Sequence, residues 1–258
     1  MEKLNNKLFS AFLIKDFLIE KAYRMHFLVK IASAFLQLAV FFYLGRMISP
    51  DYFPFLFIGI LFSRVFDFTI TSLTDSVRQE QHWGTLESIF LAPVTPVRAA
   101  FLLFTPKLVL FALEFFAYLA LGVFVFGLNL AFIKLLLILF FFAVVIMCFY
   151  GLGLLNAAYV LAFKRGDPAG WLMSTLVGLL SGVYFPVSAL PAWLVKVSYL
   201  LPTTYALSFI RKVSLENTFS RLDLLITAAS GIVFYAAGRF FLDKAFNYCR
   251  KKGTLGTY

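Results

Sequence analysis

Residues 132–163 form the longest apolar stretch of the chain and read FIKLLLILFFFAVVIMCFYGLGLLNAAYVLAF, with Lys134 as the single charged residue. A helix of about 20 apolar residues crosses the hydrocarbon core of a bilayer, and this stretch exceeds that length. Gly151, Gly153 and Asn156 in its second half indicate either a break in the helix or an extension beyond the membrane. The stretch therefore predicts a membrane-spanning helix.

The whole chain has the composition of a membrane protein. Of its 258 residues, 62% are hydrophobic and 14% are charged, against about 45–50% and about 25% in soluble domains. Five further apolar stretches accompany the first, and most are separated by short segments rich in turn-forming Gly, Pro, Asn and Asp. We therefore expect an all-α polytopic membrane protein with six transmembrane helices, over residues 27–48, 53–74, 97–126, 132–163, 168–184 and 222–242.

Basic residues set the orientation of these spans, because cytosolic loops carry an excess of Lys and Arg. With both termini in the cytosol, fourteen of the 23 Lys and Arg fall in inner segments and six in outer segments. The net charge of +10 fits this bias and contact with anionic lipid headgroups. We therefore expect both termini in the cytosol, the lipid bilayer as a partner, and no nucleic acid partner.

The first 26 residues have the pattern of an amphipathic helix that lies in the inner interface of the membrane. Apolar residues gather on one half of a helical wheel, and charged residues occupy most of the other half. Lys15 and Phe17 fall on the wrong halves, and a soluble arm is the alternative. The chain thus divides into an interface helix at residues 1–26 and a transmembrane domain at residues 27–258.

The inner loop after the second span, residues 78–94, reads RQEQHWGTLESIFLAPV. Gly84 can end one helix in a left-handed conformation, and Thr85 can cap a second helix that begins at Leu86. Pro93 would stop that second helix. The pattern predicts a short helix at about residues 84–93, which could transmit motion from a soluble partner into the membrane. A plain interfacial hairpin is the alternative.

The connection between the fifth and sixth spans is apolar, but three prolines divide it into pieces too short to cross a membrane. Trp and Tyr, which prefer the level of the lipid headgroups, are frequent there. Non-helical backbone at membrane depth must be buried in protein or line water. We therefore expect a re-entrant segment at about residues 185–213, with an ordinary amphipathic outer loop as the alternative. The expected gate residues are Tyr184, Phe185, Pro186, Pro191, Trp193, Pro202 and Tyr205.

Four charged residues fall inside predicted spans, where each is costly unless it is paired or hydrated. Arg64 and Asp67 are three positions apart on the second span and share a helix face, so they can neutralise each other. Lys107 and Glu114 are seven positions apart on the third span and again share a face. These side chains either form a polar strip along a translocation route or make structural ion pairs between helices.

The sequence offers no catalytic or metal-binding constellation. No Gly is followed by Lys, so the chain lacks the phosphate-cradling P-loop motif. His26 and His82 are far apart, and Cys148 and Cys249 are the only two cysteines, so a metal site is not expected. Ser, His and Asp are too sparse near one another to form a triad. We therefore expect no enzyme activity and no cofactor in this chain.

Two motifs and their layout resemble the ABC-2-type permeases of prokaryotic ABC exporters. In the first motif an acidic residue, Glu80, precedes GTLE at residues 84–87 and APV at residues 92–94. The second motif comprises GVYFP at 182–186, LPAWL at 190–194 and LPTTYA at 201–206, followed by Arg211. Six spans, an amphipathic N-terminal helix and the chain length also match, so the resemblance covers essentially the whole chain.

The resemblance implies the permease subunit of an ATP-driven ABC exporter in the inner or plasma membrane of a prokaryote. It implies a homodimer or heterodimer with two copies of a separate ABC ATPase, in which ATP and Mg²⁺ are bound. The substrate would be hydrophobic or amphipathic (a drug, lipid or glycolipid); polysaccharide export, or a secondary transporter or channel, are alternatives. Besides the N-terminal helix, the residues implied for coupling to the ATPase are Glu80, Gly84, Thr85, Leu86, Glu87 and Pro93.

Overall fold

The computed structural model describes residues 10–19, 24–91, 95–128, 132–164 and 167–252. Within these ranges the chain is helical and contains no β-strand, as the composition predicts. Single π-helical turns at Leu121–Val125 and Lys212–Glu216 extend two of the helices, and a 3-10 turn lies at Val187–Ala189. The helices are α1 (10–19), α2 (Arg24–Ile48), α3 (Phe53–Trp83), α4 (Leu86–Leu91), α5 (Pro96–Ala120), α6 (Phe132–Phe163), α7 (Pro168–Leu180), α8 (Ala192–Ser198), α9 (Pro202–Arg211) and α10 (Arg221–Lys252).

Five helices in the described part of the chain are long and apolar enough to cross a membrane. The fifth predicted span, residues 168–184, coincides with α7, which has only 13 residues. At 1.5 Å per residue α7 extends about 20 Å, short of the roughly 30 Å hydrocarbon core. The five long segments are Phe27–Ile48, Phe53–Trp83, Pro96–Val125, Lys134–Phe163 and Arg221–Lys252.

Small residues bring α6 and α10 into close contact. A Cβ added to Gly151 of α6 would lie 2.2 Å from the carbonyl carbon of Phe234 on α10, and one added to Gly238 would lie 2.4 Å from the Gly151 carbonyl oxygen. A Cβ added to Gly231 of α10 would likewise lie only 2.8 Å from the Cα of Cys148 on α6. Helices in membranes pack through such small residues. Gly151 therefore allows α6 and α10 to pack closely. It does not break α6, which continues through it over 32 residues.

Helix α3 runs through the middle of the bundle and joins two clusters of buried side chains. One cluster contains Phe57 of α3 and Val183, which follows α7. The other contains Leu86 of α4 and Cys249 of α10, and Phe12 of α1 packs against it. Helices α1 and α4 and the last turns of α10 therefore share one end of the bundle, here called the α4 end. The segment between α7 and α10 lies at the opposite end, the α9 end.

Candidate functional site

A tight turn joins α3 to α4, the short helix that the sequence predicts after Gly84. Gly84 adopts φ 69° and ψ 12°, and its N–H donates to the carbonyl oxygen of Gln81 at 3.1 Å. Glycine adopts this left-handed conformation without steric cost, so the predicted glycine helix end is confirmed. Leu86, the first residue of α4, is only 1% exposed and fastens α4 to the bundle. The side chain of Glu87 and all of Pro93 lie outside the described residues.

Glu80, in the last turn of α3, is held inside the α4 end and is 4% exposed. Lys15 of α1 donates through Nζ to Glu80 Oε1, and the Thr85 hydroxyl donates to Glu80 Oε2. The Lys15 ammonium also lies 4.7 Å from the centre of the Trp83 ring, within range of a cation–π contact. These contacts, here called the Lys15–Glu80–Thr85 clasp, fasten α1, α3 and the start of α4 to one another.

A second ion pair joins α1 to α5. Here α1 supplies the carboxylate and α5 the ammonium, the reverse of the pair between Lys15 and Glu80. Asp16 Oδ2 lies 3.7 Å from Lys107 Nζ, which also donates to Gln79 Oε1 of α3 at 3.3 Å. Burial raises the pKa of Asp16, and the positive charges of Lys107 and Lys15 partly oppose this rise. Lys107 thus pairs with α1 and α3 rather than with Glu114, its predicted companion on the third span. The ammonium reaches these helices because Lys107 lies on the half of α5 nearer the α4 end.

A cleft of about 380 Å³ lies between α1 and α4. Phe12 of α1, Trp83 of α3 and Ile89 of α4 line it, together with the clasp residues Lys15 and Glu80. The cleft is therefore mostly apolar, with one ion pair in its wall. Binding sites commonly combine an apolar lining with a few fixed polar groups, and this cleft has both.

The charged side chain of Arg64 on α3 makes its hydrogen bonds with a neighbouring helix. Arg64 Nε and Nη2 donate to Gln37 Oε1 of α2 at 3.3 and 2.9 Å, and the Tyr118 hydroxyl of α5 donates to the same oxygen at 2.9 Å. Asp67 Oδ1 is buried without a hydrogen-bond partner among the described residues. The hydrogen bonds of the guanidinium thus go to Gln37, while the charge of Arg64 still acts on the Asp67 carboxylate from the same helix face, so the mutual neutralisation of the two side chains stays a prediction.

Arg211, the last residue of α9, fastens the segment after α7 to α3. Its Nη1 donates to the Gly182 carbonyl oxygen at 2.6 Å, and its Nη2 donates to the carbonyl oxygens of Val183 at 3.0 Å and Phe55 at 3.1 Å. The guanidinium also lies 3.5 Å from the centre of the Phe55 ring. One cation can serve three carbonyls because the guanidinium presents five donors in a fixed plane. A Cβ on Gly59 of α3 would lie 2.2 Å from the Val183 oxygen, so the two backbones touch here.

Glycine and proline divide the α9 end as the sequence predicts. Gly182 adopts φ +83° after the end of α7. Pro186 directly precedes the 3-10 turn, and Pro191 directly precedes α8. Pro202 is the first residue of α9, a position where proline is favoured because its missing N–H would have no partner there. Short helices thus form between the predicted breaks.

The aromatic residues expected at the outer gate occupy different environments. The Tyr184 ring stacks on Phe41 of α2 with ring centres 5.2 Å apart. Phe185 and Tyr205 are half-buried, whereas Trp193 on α8 is 67% exposed. The structure therefore places these residues at one end of the bundle without joining them into a single cluster.

Sequence reasoning missed several side chains that organise the two ends, namely Lys15, Asp16, Gln37 and the role of Arg211. Of these residues, Lys15 could have been noticed in the sequence, because it falls on the apolar half of the helical wheel. The structure explains this position, because Lys15 lies with Phe12 and Ile19 on the less exposed side of α1 and its ammonium reaches the buried Glu80. Gln37 gave no signal, since an amide within an apolar span has no partner that sequence spacing identifies.

A model of the ABC-2 type transporter family matches residues 8–215, which is more than half of the chain. The matched range contains helices α1 to α9, and with them the Lys15–Glu80–Thr85 clasp and Arg211. No curated protein compared with the chain gives a significant match. Five long apolar helices and this family match together make the chain a multi-pass membrane protein. The chain belongs to the ABC-2 type transporter family, as the permease component, distinct from the ATPase with which members of this family work.

Proposed function

We propose that this chain is the transmembrane subunit of an ATP-driven exporter for a hydrophobic or amphipathic substrate, such as a drug, lipid or glycolipid. The main support for the proposal is the arrangement of helices at the α4 end of the bundle. There α1 and α4 flank a mostly apolar cleft, and the clasp ties both helices to α3. A soluble ATPase bound at this cleft could move membrane helices through that tie.

The α4 end would face the cytosol. The excess of basic residues in the segments at this end supports the orientation, and it places α1 and the last turn of α10, with Arg250, Lys251 and Lys252, at an anionic inner surface. The α9 end would then face the outside, and the membrane would be the inner or plasma membrane of a prokaryote.

Helix α7 and the residues after it would make the fifth crossing together. Helix α7 covers about 20 Å, and the turns and bends of residues 181–186 continue the crossing, since the Tyr52 hydroxyl just before α3 donates to the Tyr184 carbonyl oxygen. Ser181 and Val183 are buried, and Arg211 binds the carbonyl oxygens of Gly182 and Val183. Non-helical backbone at membrane depth needs such partners. Helices α8 and α9 would form the re-entrant gate.

Force from the ATPase would enter at α4. Glu87 in the first turn of α4 carries a carboxylate at the positive end of that helix, and we propose that it pairs with a basic residue of the ATPase. Gly84 permits the turn, whereas Leu86 anchors α4 and the clasp passes its motion to α1 and α3.

The functional unit would be a dimer of permease chains with two copies of the ATPase, which bind ATP and Mg²⁺. An apolar face of α2 supports the dimer, since exposed residues recur on it at helical spacing: Leu36, Val40, Tyr43 and Met47. A second permease chain, identical or related, would cover this face.

The proposal is tested by identifying the P-loop ATPase that co-purifies with the chain from native membranes, expressing the two together and purifying the pair. We expect no ATP hydrolysis by the permease alone, hydrolysis by the complex, and ATP-dependent substrate movement in proteoliposomes. Uptake driven by a proton or sodium gradient without an ATPase would refute the proposal and indicate a secondary transporter. Single cysteines at Ser88 and Ser188 should be labelled from opposite sides of the membrane.

A further inference from the structure

A groove of about 950 Å³ lies between α5 and α10, with α6 as its floor. It exists because α10 follows α6 closely over glycines, which leaves space between α10 and α5. The ring of Phe104 on α5 meets that of Tyr150 on α6 edge-on at 4.8 Å and closes the floor. Pockets of about 300–1,000 Å³ commonly hold small ligands, so the groove is large enough for one.

The groove is apolar along most of its length and charged at the α4 end. Arg98, near the start of α5, and Arg239 and Asp243 of α10 line that end. Within the described part of the chain, none of these three side chains has a hydrogen bond or an ion pair. Two positive charges against one negative charge favour an anionic group there.

The hydroxyl of Tyr150 provides a second, independent indication of an occupant. Its oxygen is buried and has no hydrogen-bond partner among the described residues, although buried hydroxyls are normally bonded. Tyr150 lies beside the contact between Gly151 and Gly238, and Arg239 follows directly on α10. The unpaired donor is therefore near the level at which the charged end of the groove begins.

The length of the apolar part of the groove matches one leaflet of a membrane. Along α10 the lining extends from Asp243 to Ala228, and the part between Arg239 and Ala228, which carries no other charged residue, measures about 16 Å at 1.5 Å per residue. Half of the hydrocarbon core measures about 15 Å. An acyl chain whose headgroup lies at the arginines would thus end near the midplane of the bilayer.

We propose that this groove binds one anionic phospholipid from the leaflet at the α4 end. The phosphate lies between Arg98 and Arg239, an ester carbonyl accepts a hydrogen bond from Tyr150, and one acyl chain fills the apolar floor. The lipid is a resident of the permease that braces α5 against α10. Its binding requires neither the ATPase nor export, so the proposal stands or falls separately from the proposed function.

The experiment places the full chain in nanodiscs of phosphatidylcholine with a minor fraction of phosphatidylglycerol. After extraction into detergent, mass spectrometry of the intact protein counts the phosphatidylglycerol that each chain retains. The charge variant is Arg98→Gln with Arg239→Gln. Its matched control, Lys134→Gln with Arg221→Gln, also removes two positive charges. These two residues lie in the first turns of α6 and α10, away from the charged end of the groove. Tyr150→Phe removes only the hydroxyl.

Wild type and the control should retain about one phosphatidylglycerol in preference to phosphatidylcholine. The charge variant should bind it about 25-fold more weakly, from about fivefold for each arginine, and Tyr150→Phe about two- to tenfold more weakly. Equal retention by the charge variant and the control, or equal retention of the two lipids by wild type, would overturn the proposal. If the charge variant does not fold, Tyr150→Phe decides: unchanged retention by it overturns the proposal as well.

Discussion

Replacing Lys15 with alanine should release α1 from the rest of the bundle. The change leaves the Glu80 carboxylate buried with Thr85 as its remaining donor in the clasp. Breaking a fully buried ion pair costs about 3–5 kcal/mol, but the Lys15 side chain is 32% exposed, so solvent reduces the loss. We expect about 1–3 kcal/mol, which is about 5- to 150-fold in the docking equilibrium of α1.

Amide hydrogen exchange in residues 10–19 measures this equilibrium, because local opening exposes the amides of α1 to solvent. Lys15→Ala should speed exchange there and leave α6 unchanged. Glu80→Gln should have a smaller effect, since the amide oxygen still accepts a hydrogen bond. The control, Lys244→Ala, removes an exposed ammonium of α10 and should not alter exchange in α1.

The double variant, Lys15→Ala with Glu80→Gln, decides whether the two side chains act together. If the clasp holds α1, the loss in the double variant should be smaller than the sum of the single losses, with a coupling energy above about 0.5 kcal/mol. Strict additivity, or unchanged exchange in Lys15→Ala, would refute the role given to the clasp.

Three further predictions concern other parts of the molecule. Glu87→Ala should cost only about 0.3–1 kcal/mol of stability, but if the carboxylate pairs in a buried interface it should weaken co-purification with the ATPase by about 2–5 kcal/mol; normal docking would remove Glu87 from the mechanism. Arg211→Met should lower thermal stability by about 3 kcal/mol, since charged hydrogen bonds to three carbonyls are lost, and Arg211→Lys should recover only part of it. Asp16→Asn should raise stability at neutral pH because burial raises the pKa of Asp16. That advantage should shrink as the pH falls through the raised pKa towards 3.8, where the wild-type carboxyl is also neutral, and melting curves across this range test it.

The long helices could be predicted from sequence because each has enough apolar residues to satisfy a bilayer by itself. The helix end at Gly84 and the breaks at Pro186, Pro191 and Pro202 were predictable for a similar reason, since glycine and proline restrict the local backbone. The short length of α7 was less evident: the residues after it are apolar, yet Gly182 turns the chain out of the helix.

The partners of the charged residues could not be predicted in this way. Spacing along one helix suggests Asp67 for Arg64, whereas the structure supplies Gln37, 27 positions away on another helix. Glu80 finds Lys15 across 65 positions. Such pairs depend on how helices pack, and packing geometry is not encoded in the spacing of residues along a single helix.

Helix α3 carries a contact of the Arg211 site near its first turn and the clasp near its last. Phe55 and Glu80 are separated along it by about 38 Å at 1.5 Å per residue. A helix hydrogen-bonded throughout behaves as a stiff rod, so a tilt of about 5° at one end displaces the other by about 3 Å. This makes α3 a lever whose two arms end at opposite membrane surfaces. A displacement of that size is comparable with the 2.6–3.1 Å hydrogen bonds of Arg211, so movement at the α4 end would strain or release the carbonyls held by Arg211 without any change in the helix itself.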